Sequence, residues 1–302
     1  MTIQDAHTHF FSRAFFDALA GMSPFDGTPE QKLRAVAERT GLAVPDDDVT
    51  AHRDRWLAEM DAHGVGRMVT FASLPQEAEV VSAAAAGSGG RLLPYTLVNP
   101  ALEAAPAFVE KALGSMGFRG LLLFPAMHHV SPSDSRCDAI YELARAHGAP
   151  VIVHCGLLVV KLRDLLGLPR PYDLSFARPL NLVPAANRFP DVTFVLPHFG
   201  GGFLNEALML GAQCENVMVD TSSSNNWMAT HAGPLSLGQV FRSALDVFGA
   251  GRILFGTDSS TFPRGWRADI LEAQRSALSE ARATHDEMAS ILGGNLAALL
   301  PA

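Results

Sequence analysis

Eight strand-like runs follow one another along this chain, most of them separated by a helix-like segment, and this alternation is what most limits its fold. The runs are the opening MTIQDAHTHF, then 67–73, 91–99, 117–124, 150–155, 192–197, 217–222 and 252–257. Helix-like stretches lie between most of them, at 76–86, 101–116, 133–146, 203–214 and 237–248. Several runs are apolar throughout, as expected of parallel strands covered on both faces. Eight β-α repeats with no break in composition predict a single α/β domain over 1–302, a (β/α)8 TIM barrel rather than two open sheets. Its 302 residues are enough to bury a large continuous core.

Two connections are longer than the rest. Residues 10–63 follow strand 1 and contain helix-like stretches at 28–40 and 50–63, broken by Pro24, Pro29 and Pro45. Residues 156–179 follow strand 5. Both long loops therefore belong over the C-terminal face, where barrel active sites lie, as lids or pocket walls. The apolar residues 157–160 and the Leu165-Leu166 pair of the second loop read equally well as a subunit interface.

Four strands end in a metal-ligand side chain: Asp5-Ala6-His7-Thr8-His9, His154 in VIVHC, His198 in FVLPH and Asp258 in ILFGTD. Side chains alternate along a regular strand, so Asp5, His7 and His9 are expected to share the inward face. Taken singly, each piece has a plainer explanation; an HxH strand, for example, can simply hold two hydrogen-bonded histidines. Taken together they predict a metal centre, with Asp258 facing a cation because a buried unpaired carboxylate is costly. Three imidazoles and one carboxylate suit one divalent ion, Zn²⁺ before Mn²⁺ or Fe²⁺. His198 reads either as a ligand or, the favoured alternative, as an acid/base group beside the ion. Asp220 is expected to support a ligand histidine.

Candidate substrate contacts come from loops on the same face: His128, Trp227, and Arg13 and Arg178 as cations for a substrate carboxylate. The polar run 222–226 is a further source of hydrogen-bonding groups.

The motifs D-x-H-x-H, VxVHCG, PHFGGG, DTSSS, ILFGTDSS and ILGGNLAALL together resemble the amidohydrolase superfamily. The resemblance is strongest to the amidohydrolase-related branch that includes aminocarboxymuconate semialdehyde decarboxylase and related lactone hydrolases. It implies His7, His9, His154 and Asp258 as ligands of one ion, and His198 as the catalytic histidine; Asp258, touching both ion and water, is also expected to take a proton and pass it to the leaving group. Strand 4 offers Leu121, Leu122, Leu123 and Phe124 but no lysine, so the bridging carbamate of two-metal members is missing and a mononuclear site is expected. The implied activity is metal-dependent hydrolysis of an amide, ester or lactone carbonyl by metal-activated water. Its alternative is non-oxidative decarboxylation of an aromatic or unsaturated acid.

The formal net charge of −8 argues against nucleic acid, whose binding rests on Lys and Arg neutralising phosphates. No apolar run approaches the ~20 residues needed to span a bilayer, so no membrane is expected as a partner. The opening carries no basic segment followed by an apolar one, so no secretory signal is expected. Cys137, Cys155 and Cys214 form no CxxC pair and read as reduced thiols of a cytoplasmic protein. The expected partners are a small-molecule substrate and a second copy of the chain, as a homodimer.

Overall fold

The computed structural model describes residues 2–222 and 227–301; residues 223–226 of the polar run lie outside the described residues. Eight strands form one sheet: β1 Ile3–His9, β2 Val65–Ala72, β3 Leu92–Val98, β4 Gly120–Leu123, β5 Val151–Val153, β6 Phe194–Leu196, β7 Val217–Asp220 and β8 Ile253–Leu254. Each pairs in parallel with the next in sequence. The ring closes beyond the short β8, where Ala6 N–H donates to Phe255 O and His9 N–H to Ser259 O, both at 2.8 Å. The fold is the expected TIM barrel.

The helices are α1 Arg13–Met22, α2 Pro29–Thr40, α3 Val49–His63, α4 Ala78–Ala86, α5 Ala105–Gly114, α6 Pro125–His128, α7 Asp138–His147, α8 Lys161–Leu165, α9 Val183–Arg188, α10 Leu204–Gln213, α11 Leu237–Phe248, α12 Ala268–Glu280, α13 His285–Ala289 and α14 Asn295–Leu299. Local chemistry sets several of these boundaries. Thr28 and Gln31 form a capping box at the start of α2, and Gly41 ends it in the left-handed conformation. Asp48 caps α3, and Ser236 with Gln239 makes a second capping box at α11.

Two apolar layers follow from strand alternation. Val69, Leu93, Leu122, Ile152, Val195 and Leu254 fill the barrel interior. Their neighbours, such as Met68, Leu121 and Val151, face outward into the larger core beneath the helices. A third cluster joins the two long loops: Phe15, Phe16, Leu19 and Val36 from α1 and α2 pack on Leu162 and Leu166 of the loop after β5. The apolar side chains of that second loop are thus largely spent within the chain, on a cap over the mouth. Among the described residues, no helix is long and apolar enough to cross a membrane.

Candidate metal centre and active site

β1 breaks its own alternation. Asp5 pairs with Met68 and Thr8 with Thr70, so three steps along β1 match two along β2. This is a β-bulge, and it changes which face the following side chains take. Ala6 packs in the barrel interior, and His7 and His9 line the cavity at the mouth. Asp5 instead accepts hydrogen bonds from Thr257 N–H (3.1 Å), Thr257 Oγ1 (2.6 Å) and Trp266 Nε1 (2.8 Å). The expectation that Asp5 shares a face with the two histidines is therefore corrected, and the bulge is the reason. Burial pushes the Asp5 carboxyl up to about 6 despite those donors.

Each histidine of the centre has its second ring nitrogen, or its backbone, fixed. Asp220 Oδ2, at the end of β7, lies 2.7 Å from Nδ1 of His7. Ser73 Oγ, just past β2, lies 2.7 Å from Nδ1 of His9. His198 follows β6 with φ 58°, a left-handed conformation unusual for a side chain of this kind. Its Nδ1 is 2.9 Å from both Ser222 O and Ser222 Oγ, and its backbone N–H donates to Asp220 Oδ1 at 3.0 Å. Because a carbonyl oxygen only accepts, Nδ1 of His198 carries the proton and Nε2 presents a lone pair. Asp258, also left-handed at φ 58°, donates its backbone N–H to His7 O at 2.8 Å.

The tight turns around His198 need glycine. Gly156 (φ 75°) and Gly201 (φ 56°) face each other so closely that a Cβ on either would strike the backbone of the other segment.

The side chains converge. The ligand atoms of His7, His198 and Asp258 lie within 4.8 Å of one another. Asp258 Oδ1 is 3.2 Å from His9 Nε2 and 3.7 Å from His7 Nε2. His154, at the end of β5, stands with its ring 5.3 Å from that of His198. The ligand atoms that meet are thus those of His7, Asp258 and His198, with His9 against Asp258 and the His154 ring beside that of His198.

This donor set calls for a cation. Nδ1–H of His7 is given to Asp220, so its Nε2 lone pair faces the Asp258 carboxylate; Nε2 of His9, whose Nδ1 pairs with the Ser73 hydroxyl, faces the same carboxylate. Such an arrangement repels itself unless an imidazole is protonated or an ion is bound. The titration of the groups expresses this demand. Burial works against a charged His7, yet Asp220 and Asp258 hold it above the usual histidine range. Burial would raise Asp258, but the His9 hydrogen bond and the charges of His7 and His9 hold its carboxyl well below the ordinary range. Burial, together with neighbouring imidazoles, keeps His154 and His198 low and therefore neutral. His154 Nδ1 is buried without a hydrogen-bond partner among the described residues. The residues fit a divalent ion.

A cavity of about 750 Å³ opens above these groups. Phe11, Phe15, Phe16 and Phe124 give it an aromatic wall, with Phe11 stacked on His9 at 4.7 Å and on Phe15 at 3.9 Å. Lys161, Arg163, Arg170 and Arg264 supply its cations. Arg170 is paired with Asp164, whereas Lys161, Arg163 and Arg264 have no carboxylate within ion-pairing distance among the described residues.

Arg13, His128, Arg178 and Trp227, the residues expected to contact substrate, are not among the described lining of this cavity. Arg13 bonds to Asp17 one helical turn away, and exposed Arg178 bonds to Glu206 at 3.0 Å. His128 and Trp227 are absent from the described cavity lining, and Trp227 is buried beside Phe199 instead. Sequence reading missed the cations that do line the cavity. Arg264 was legible, six residues after Asp258 on the mouth side, but nothing in composition distinguishes it from Arg178.

A family model described as Amidohydrolase matches residues 4–302. Solved structures share the fold over 99% of this chain at low identity. The 5-carboxyvanillate decarboxylase of Novosphingobium aromaticivorans, complexed with manganese and 4-hydroxy-3-methoxy-5-nitrobenzoic acid, is 13% identical over 95% of its own length, with TM-score 0.66. An amidohydrolase from Burkholderia multivorans with bound zinc is 15% identical over 99% of its length, with TM-score 0.63. A probable 2-pyrone-4,6-dicarboxylic acid hydrolase from Acinetobacter baumannii, with citric acid bound, is 13% identical over 99% of its length, with TM-score 0.60. No curated protein matches the chain by sequence.

Proposed function

The chain belongs to the amidohydrolase family, and on that premise we propose that it is a metal-dependent hydrolase acting on an amide, ester or lactone carbonyl of a small molecule. The observation that carries this reading is the convergence of His7, His9, His154, His198 and Asp258 at the floor of the 750 Å³ cavity. His7, His9, His154 and Asp258 would hold one divalent ion, and the donor set favours Zn²⁺, with Mn²⁺ and Fe²⁺ as alternatives. When bound, the ion supplies Lewis acidity that polarises a substrate oxygen and acidifies water.

The chain's own residues supply the proton chemistry. Nε2 of neutral His198 is an acceptor, held in place by the Ser222 bonds to Nδ1. It accepts a proton or hydrogen bond from an attacking water and, once protonated, returns the proton to the departing group. Asp258, kept ionised, is the second acceptor at the same point. The cap formed by α1, α2 and α8 closes one side of the cavity and limits bulk water there.

The cation-lined wall favours a second reading, decarboxylation of an aromatic or unsaturated acid. Lys161, Arg163 and Arg264 would receive a carboxylate, and the phenylalanines a flat apolar body. Carbon protonation then needs a proton delivered to Nε2 of His198 beforehand, because the hydrogen on its Nδ1 is held by Ser222, whereas in hydrolysis the attacking water supplies that proton. Hydrolysis therefore stands first.

Two measurements test the proposal. Elemental mass spectrometry of protein purified without chelator should find one divalent ion per chain, absent from the His7→Ala/His9→Ala double variant. Turnover in ¹⁸O-labelled water should place label in the product. Stoichiometric CO₂ release without label would move the assignment to the decarboxylase.

A further inference from the structure

Glu77 is a buried carboxylate that the proposed chemistry does not use. It lies just past β2, in the loop that also carries Ser73. Its Oε1 accepts from Ser12 N–H at 2.8 Å and from Ser12 Oγ at 2.9 Å, and its Oε2 accepts from Ser73 N–H at 2.9 Å. Every one of these partners is a donor.

The two serines lead to different parts of the active site. Ser73 Oγ is the partner of His9 Nδ1 at 2.7 Å, and this contact holds the His9 ring with Nε2 3.2 Å from Asp258 Oδ1. Ser12 precedes α1, whose Phe15 and Phe16 form the aromatic wall of the cavity. Its hydroxyl makes no capping bond to its own helix because it is given to Glu77. Between His9 and Ser12 the chain turns through Phe11 at φ 35°, and the two Ser12–Glu77 bonds anchor it where α1 begins.

We propose that Glu77 is a positioning residue that fastens the His9 ligand and the cavity wall on α1 to a single buried point. The ligand end of this proposal rests on the metal-site reading above; the wall end does not. Glu77 touches neither ion nor substrate. It acts through Ser73 on the ring orientation of His9 and through Ser12 on the first turn of α1. Orientation of this indirect kind is typically worth ~10-fold or more in metal affinity.

The test needs no substrate. Zn²⁺ affinity is measured by competition with a chromogenic chelator on metal-free protein, and hydrogen exchange is followed over residues 12–22 by mass spectrometry. Glu77→Gln keeps the shape but turns an amide NH₂ toward donors. It should weaken Zn²⁺ by ~10-fold and speed exchange at the start of α1. Ser73→Ala should weaken Zn²⁺ alone, and Ser12→Ala should speed exchange alone. A folded Glu77→Gln protein with wild-type Zn²⁺ affinity and wild-type exchange overturns the proposal. If Glu77→Gln does not fold, unchanged Zn²⁺ affinity in Ser73→Ala overturns it. A wild-type chain that takes up no Zn²⁺ refutes the metal reading instead, and exchange at α1 then decides the role of Glu77.

Discussion

Nδ1 of His7 and Oδ2 of Asp220 meet at 2.7 Å, both side chains buried, across the closing edge of the barrel from β1 to β7. The contact fixes more than one ring, because Asp220 Oδ1 also receives the backbone N–H of His198 and the N–H and hydroxyl of Ser222. One carboxylate thus orients His7 and the turn that presents His198. Burial would raise Asp220, but the charge and hydrogen bond of His7 keep it ionised.

Asp220→Asn retains size and loses the charge that selects the His7 tautomer. Metal affinity should fall ~10–100-fold, read by chelator competition at constant pH. Affinity equal to wild type would show that His7 is oriented by something other than this carboxylate.

His198→Asn should separate binding from chemistry. The variant should carry the same metal content as wild type by elemental mass spectrometry, while turnover falls ~10²–10⁴-fold with the general base removed. Loss of the ion would instead make His198 a ligand, a role compatible with its place among the donor atoms.

Glu77 gives the fold a definite pH dependence. Burial holds its carboxyl at about 7 against an ordinary value of 4.5, so the folded chain binds this proton more tightly than the unfolded chain. Stability from this group is complete below 4.5 and is lost as pH rises through 7, by about 3 kcal/mol in all. In metal-free protein, subtracting the denaturation free energy of Glu77→Gln from that of wild type between pH 4 and 8 should give a difference that declines with rising pH. A flat difference would place the group near its ordinary value.

The cavity cations can be told from the rim arginines by substitution. Arg264→Ala should weaken an aromatic carboxylate probe such as 2,6-dihydroxybenzoate by roughly 10-fold, the size of one charge-assisted contact. Arg178→Ala and Arg13→Ala should leave its affinity unchanged, because both side chains are occupied outside the cavity. Isothermal titration on the metal-loaded protein decides between them.

Gly156→Ala should be among the most damaging small substitutions in the chain. It combines a left-handed backbone with a collision against the Gly201 carbonyl. A loss of about 3 kcal/mol is expected from a strained position that cannot relax, measured as a shift in the urea midpoint. A near-neutral effect would mean that the β5 and β6 turns separate easily.

Much of this was legible from the chain. The eight repeats gave the barrel because each strand must be apolar on both faces, a pattern visible residue by residue. His154, His198 and Asp258 announced themselves as polar groups at the ends of apolar runs. Asp5 misled because alternation presumes a regular strand, and a bulge leaves no mark in the identities of Ala6 or Thr8. The true cations of the cavity were hidden for another reason. Lys161 and Arg163 reach the site from a segment whose course depends on how α1 and α2 pack on Leu162 and Leu166, and Arg264 from the connection after β8; both placements are tertiary facts. Ser73 and Glu77 were missed likewise: their importance lies in whom they touch.

The uneven placement of charge has a kinetic consequence. Lys161, Arg163, Arg170 and Arg264 line the cavity of a chain whose formal net charge is −8. An incoming anion is repelled by most of the surface and drawn to the mouth, so the orienting part of its diffusional search is shortened. Encounter rates of a charged compound should then fall steeply with ionic strength, while those of a neutral compound of equal shape should not.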